Sequence, residues 1–83
     1  MIRAVKEDVM ETAPGYDISA SHALELIKKS IVERQLRPGD KLPAERALAA
    51  QLGISRHTVR EALKNLQALG VVEIIHGSGA YLK

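Results

Sequence analysis

The sequence predicts a mainly α-helical domain closed by a small β-hairpin: three helices plus a C-terminal wing, the winged helix-turn-helix arrangement. Three observations lead there. Two segments with apolar residues at helical spacing are joined by "GIS" at residues 53–55, the turn length of a helix-turn-helix. A third such segment precedes them. Finally "VVEIIHGSGAYLK", residues 71–83, sets β-favouring residues on both sides of Gly77-Ser78-Gly79, the pattern of a hairpin with a glycine-rich tip.

The totals bound the function. Eighty-three residues make one small domain, and a chain of this size buries only about two-thirds of the surface its unfolded form exposes. A hydrophobic content of 46% with 27% charged residues is that of a folded globular chain. With two Tyr and no Phe or Trp, the core has to be built from Leu, Ile, Val and Ala. The absence of cysteine excludes disulfides and cysteine-based zinc fingers and fits a cytoplasmic location. No apolar run approaches the roughly 18 residues of a membrane span, and the first fifteen residues are too acidic and too broken for a signal peptide.

Along the chain, residues 1–17 read as an N-terminal tail or a short extra helix on Ile2, Val5 and Val9, and residues 18–83 as the winged unit. The first helix of that unit buries Ala20, Leu24, Ile27 and Ile31, with Ser19 or Ser21 as its cap. "RPGD" stops it, since Pro38-Gly39 suits the centre of a type II turn. Lys41 and Leu42 are extended, because the residue before Pro43 is pushed out of the helical region. Pro43 opens the second helix, which buries Leu48 and Leu52 and stops at a left-handed Gly53. Ile54 plugs the turn, and Ser55 caps the third helix, whose stripe is Val59, Ala62, Leu63 and Leu66, ending at Gly70.

Charge is distributed unevenly. Residues 1–17 hold four acids against two bases, whereas residues 36–64 hold six bases (Arg37, Lys41, Arg46, Arg56, Arg60, Lys64) against three acids. On the third helix Arg56, His57, Arg60 and Lys64 fall on or beside the side opposite the apolar stripe. The helix dipole disfavours cations at this end, so a core-packing helix gains nothing from them; a polyanion supplies the reason. In a helix-turn-helix this outward side enters the DNA major groove, where an arginine can donate two hydrogen bonds to a guanine. Arg56 and Arg60 are therefore candidates for base reading. The helix N-terminal amides, with the Ser55 and Thr58 hydroxyls nearby, suit a backbone phosphate. Arg46 on the second helix is placed for a phosphate, the alternative being an ion pair with Glu45 or Glu61. His76 and Gly77 stand at the hairpin tip, where a glycine backbone can approach a phosphate or a narrow groove; the alternative is an ordinary turn in which His76 does nothing. A merely solvated charged face is the alternative for the whole stripe.

The stretch "LRPGDKLPAERALAAQLGISRHTVREALKNLQALGVVEIIHGSGAYL" resembles the DNA-binding domain of the GntR family of bacterial transcription regulators. The matching features are the PGD-x-LP turn, the ER pair, the "SR-x-TVR-x-AL" helix and a wing ending in G-x-G, over about the last two-thirds of the chain. The resemblance implies a winged helix-turn-helix that binds palindromic operators as a dimer. It also implies DNA contacts from Arg46, Ser55, Arg56, His57, Thr58, Arg60, His76 and Gly77. Two departures stand out. Ala44 takes the place of a frequent capping serine, weakening the start of the second helix by about 1 kcal/mol, and His57 sits at a position variable in the family. Family members continue into a second domain that binds a small-molecule effector and drives homodimerisation. With that domain absent, the chain reads as a fragment of a longer cytoplasmic regulator, a repressor released by its effector. The "VREAL" form of the third helix is similar to the FadR-type branch, whose effector domain is helical.

Two other classes compete. Enzyme chemistry lacks its signatures: there is no G-x-S-x-G elbow and no phosphate-loop pattern. His22, His57 and His76 match no ligand spacing, so neither metal nor cofactor is expected. A winged helix devoted to protein contact would show apolar or acidic residues on the outer side of the third helix, where this chain has cations.

Overall fold

In the computed structural model residues 18–83 are described; the tail or extra helix expected over residues 1–17 lies outside the described residues. The order is helix α1 (Ala20–Glu33), helix α2 (Glu45–Leu52), helix α3 (Arg56–Ala68), strand β1 (Val72–Ile75) and strand β2 (Gly79–Leu82), the three helices and hairpin of a winged helix-turn-helix. Helix α3 is the hub and packs on α1, α2 and β1. Ile27 of α1, Leu48 of α2, Val59 and Leu66 of α3 and Val72 of β1 are fully buried. Burying each such side chain contributes about 1.5–3 kcal/mol, so the core consists of one aliphatic cluster to which every layer contributes.

Helix α1 starts where Ser19 Oγ accepts from the His22 amide at 3.2 Å. Its buried face is rotated from the expected one: Ala23 and Ile27 are sealed, while Ala20, Leu24 and Ile31 are half-buried at the margins. The reason is that α1 lies mainly on α3, and a small residue at 23 lets the two helices approach. The helix also stops before "RPGD". Gln35 adopts a left-handed conformation (φ 57°), its amide donates to Val32 O at 3.0 Å and the Leu36 amide to Ile31 O at 3.1 Å. This is a Schellman cap with glutamine where glycine is usual. The Pro38-Gly39 turn follows separately, as expected, with Gly39 at φ 95° and the Asp40 amide donating to Arg37 O at 2.9 Å.

Helix α2 begins at Glu45, two residues after Pro43; Ala44 is its N-cap and makes no side-chain cap bond. Gly53 closes it at φ 71°. Helix α3 is capped as expected, with Ser55 Oγ accepting from the Thr58 amide at 3.0 Å. Val59, Ala62, Leu63 and Leu66 are all buried.

Strands β1 and β2 pair antiparallel, in the register Val72↔Leu82 through Ile75↔Gly79, around a turn at residues 76–78. Residues 39–42, expected only to be extended, add a partial third strand to the other edge of β2. Lys41 pairs with Tyr81; the Leu42 amide donates to Ala80 O and the Leu82 amide to Asp40 O, each at 2.8 Å. Leu42, 2% exposed, thereby joins the core.

Candidate nucleic-acid interface

The outer side of α3 is built by its cap and its stripe. Ser55 fixes the first turn, the buried stripe fixes the rotation, and Arg56, His57, Arg60 and Lys64 are left exposed. The hairpin stands beside this side with His76 and Gly77 at its exposed tip, Gly77 at φ 81°. Between α3 and the hairpin lies a cleft of about 740 Å³ lined by Lys41, Arg56, Arg60, Lys64 and Gly77, with Leu42, Leu63 and Ala80 beneath.

One acid organises this cationic cleft. Glu45, in the first turn of α2, accepts two hydrogen bonds from Arg60, Nε to Oε2 at 3.1 Å and Nη2 to Oε1 at 2.9 Å. Arg56 Nε stands 3.7 Å from the same Oε1. The Arg60 hydrogen bonds hold the Glu45 carboxyl below its ordinary pKa, with the charges of Arg60 and Arg56 adding to them; partial burial opposes the shift without reversing it. Arg60 is raised in turn, chiefly by the same hydrogen bonds. Glu45 is only 26% exposed while the arginines are about half exposed. The carboxylate is therefore the more enclosed partner of the array, and Glu45, Arg56 and Arg60 all line the cleft.

This clamp was absent from the sequence-based expectation, in which Glu45 figured only, with Glu61, as the alternative ion-pair partner of Arg46. Among the described residues no ion pair joins Arg46, which is exposed on α2. Glu61 is taken by Lys64 at 3.4 Å. Thr58 also sits differently from its expected place. It is 6% exposed, and its Oγ1 accepts from Ser55 Oγ at 3.0 Å, so the two hydroxyls are turned on each other within the cap. At the hairpin, Ser78 Oγ is bonded to the Tyr81 hydroxyl and the Ser78 amide donates to Ile75 O at 2.9 Å, leaving His76 and Gly77 outermost. The structure thus gathers Arg56, Arg60 and Gly77 around one cleft. His57 and His76 are exposed on α3 and at the hairpin tip but do not line it, Arg46 is on the neighbouring helix, and Ser55 and Thr58 are the foundation of α3.

Among the described residues no cluster of His, Asp or Glu could hold a metal ion, and no helix is long and apolar enough to cross a membrane.

Comparison with known proteins places this geometry. The profile of bacterial regulatory proteins of the gntR family matches residues 19–82. The chain belongs to the GntR family. Its GntR domain is 47% identical over 57 residues to the mannosyl-D-glycerate transport/metabolism system repressor MngR of Escherichia coli K12, covering 69% of this chain and 24% of MngR. It is 53% identical over 49 residues to the transcriptional regulator LutR of Bacillus subtilis 168, covering 59% of this chain and 22% of LutR. The chain thus spans about a quarter of the length of these relatives. Among solved structures, the GntR protein of Streptococcus agalactiae superposes with a TM-score of 0.75 at 34% identity, over 77% of this chain and 31% of that one. The AraR DNA-binding domain in complex with operator ORX1 superposes with a TM-score of 0.69 at 31% identity, over 77% of both chains. Residues 19–82 are accordingly a GntR-type winged helix-turn-helix DNA-binding domain.

Proposed function

We propose that this GntR domain is the operator-reading part of a bacterial transcription regulator, recognising a double-stranded, palindromic site in the cytoplasm. One observation carries the reading: the outer side of α3 and the hairpin tip border a single cleft lined by the cations Lys41, Arg56, Arg60 and Lys64, with His57 exposed beside it on α3. The similarity to an AraR domain held on its operator supports it.

Roles follow from chemistry. Arg56 and Arg60 direct the free edges of their guanidiniums at guanine in the major groove, and His57 beside them tunes the preference. Arg46 takes a backbone phosphate. Ser55 and Thr58 serve the contact from below, holding the first turn of α3 so that its amides meet a phosphate. His76 and Gly77 enter the flanking minor groove. The regulator acts as a homodimer on two half-sites, and a small-molecule effector bound in a further domain releases a repressed promoter. No catalysed reaction and no cofactor enter this reading.

Selection of bound sites from random duplex DNA tests it. The expected result is a palindromic consensus, with log affinity falling against log salt at a slope of about −0.9 for each phosphate contacted. No enriched site, or a flat salt response, rejects it.

A further inference from the structure

We propose that Lys41 is a further DNA-contacting residue, a phosphate grip set on the partial strand before α2, outside both α3 and the hairpin tip. The proposal rests on the operator-binding reading above. Four cations line the cleft, and three of them are already compensated. Arg56 and Arg60 share the Glu45 carboxylate, and Lys64 lies 3.4 Å from Glu61. Among the described residues no ion pair joins Lys41. Its charge is therefore the uncompensated one in the cleft, and an uncompensated cation is the kind that a phosphate and its displaced counterions reward most.

Its position is also fixed more than an exposed lysine usually is. The Lys41↔Tyr81 pairing and the Leu42 amide bond to Ala80 O at 2.8 Å lock the backbone on the edge of β2. The side chain then crosses Gly79 on the same face. A Cβ at position 79 would stand 2.8 Å from Lys41 Cε and 3.7 Å from Nζ, so the lysine stem occupies the space that a side chain there would need. Glycine at 79 leaves the stem room to lie across the strand, where Lys41 and Gly79 both line the cleft. Laying the stem down in the free domain removes part of the ordering cost of a contact. A compact ammonium with donors to spare binds phosphate as a point charge and carries no base preference.

The test uses the full 83-residue chain and a duplex carrying its selected site, with affinity measured from 50 to 200 mM salt. Lys41→Gln is expected to take about 0.9 off the salt slope, so that the parent loses about 3.5-fold more affinity than the variant across this range. The ratio of affinities for the selected and a scrambled duplex stays at the parent value. Lys41→Arg restores the slope. Lys29→Gln, altering a lysine paired with Glu33 on α1 outside the cleft, keeps the parent slope. A parent-like slope in Lys41→Gln, or a changed preference between the two duplexes, overturns the proposal while leaving the operator reading intact. A parent chain without salt-dependent duplex affinity overturns that reading, and this one with it.

Discussion

At the scale of single residues the domain is governed by one carboxylate among cations. Glu45 pins Arg60 with two hydrogen bonds and draws Arg56 towards the same oxygen. An unrestrained arginine reaches any phosphate, whereas a pinned one offers its fork in a single direction and suits guanine over backbone. Replacing Glu45 by Gln is therefore expected to raise affinity for scrambled duplexes, steepen the salt slope and narrow the preference for the selected site; anisotropy titrations on both duplexes measure it, and an unchanged preference counts against the account. Because the folded carboxyl titrates below its ordinary value of 4.5, its contribution to stability is present above that value and disappears as pH falls through the lowered one. The thermal midpoint of the parent should drop more steeply below about pH 4.5 than that of Glu45→Gln. Arg56→Ala should cost about 1–3 kcal/mol of operator affinity and relax preference at one base position; equal loss on every sequence would reassign Arg56 to the backbone. The outward cations were legible from helical spacing alone. The Glu45 clamp was not, because the partners are fifteen residues apart and meet only through the angle between α2 and α3. Thr58 was readable in principle: one residue before Val59 and four before Ala62, it borders the buried stripe.

At the scale of elements, most starts and stops announce themselves. Ser19, Ser55, Gly53 and the Pro38-Gly39 turn do in the structure what their residue types suggest. The exceptions are ends that lack the usual residue. Gln35 holds a left-handed cap without being glycine, so no punctuation marks the end of α1, and the stop appears three residues late, at Pro38. Gln35→Gly should relieve the strain and stabilise the domain by a few tenths to about 1 kcal/mol, less than the full steric cost because the freer glycine also loosens the unfolded chain. At α2, Ala44 caps with nothing. Ala44→Ser is expected to add about 1 kcal/mol, raising the thermal midpoint by about 4–8 °C in a domain of this size. Calorimetry reads both; a midpoint unmoved by Ala44→Ser would mean that water already serves the α2 amides as well as a hydroxyl would.

At the scale of the whole molecule, the hairpin is tied to more than its own turn. Residues 39–42 border β2, Leu42 packs beneath, and the Lys83 amide returns to Val71 O at 3.0 Å. Long-range pairing of this kind leaves little trace in local pattern, which is why the sequence announced two strands and concealed the edge alongside them. The tie makes one body of what looks like a helical trio with an appended loop. Amides of Leu42 and Leu82 should therefore exchange with solvent as slowly as those of buried α3 residues, since opening either one detaches residues 39–42 from β2. A displacement of the link between α1 and α2 is thus expected to reach β2 along this pairing as well as through α3, on which α1 lies.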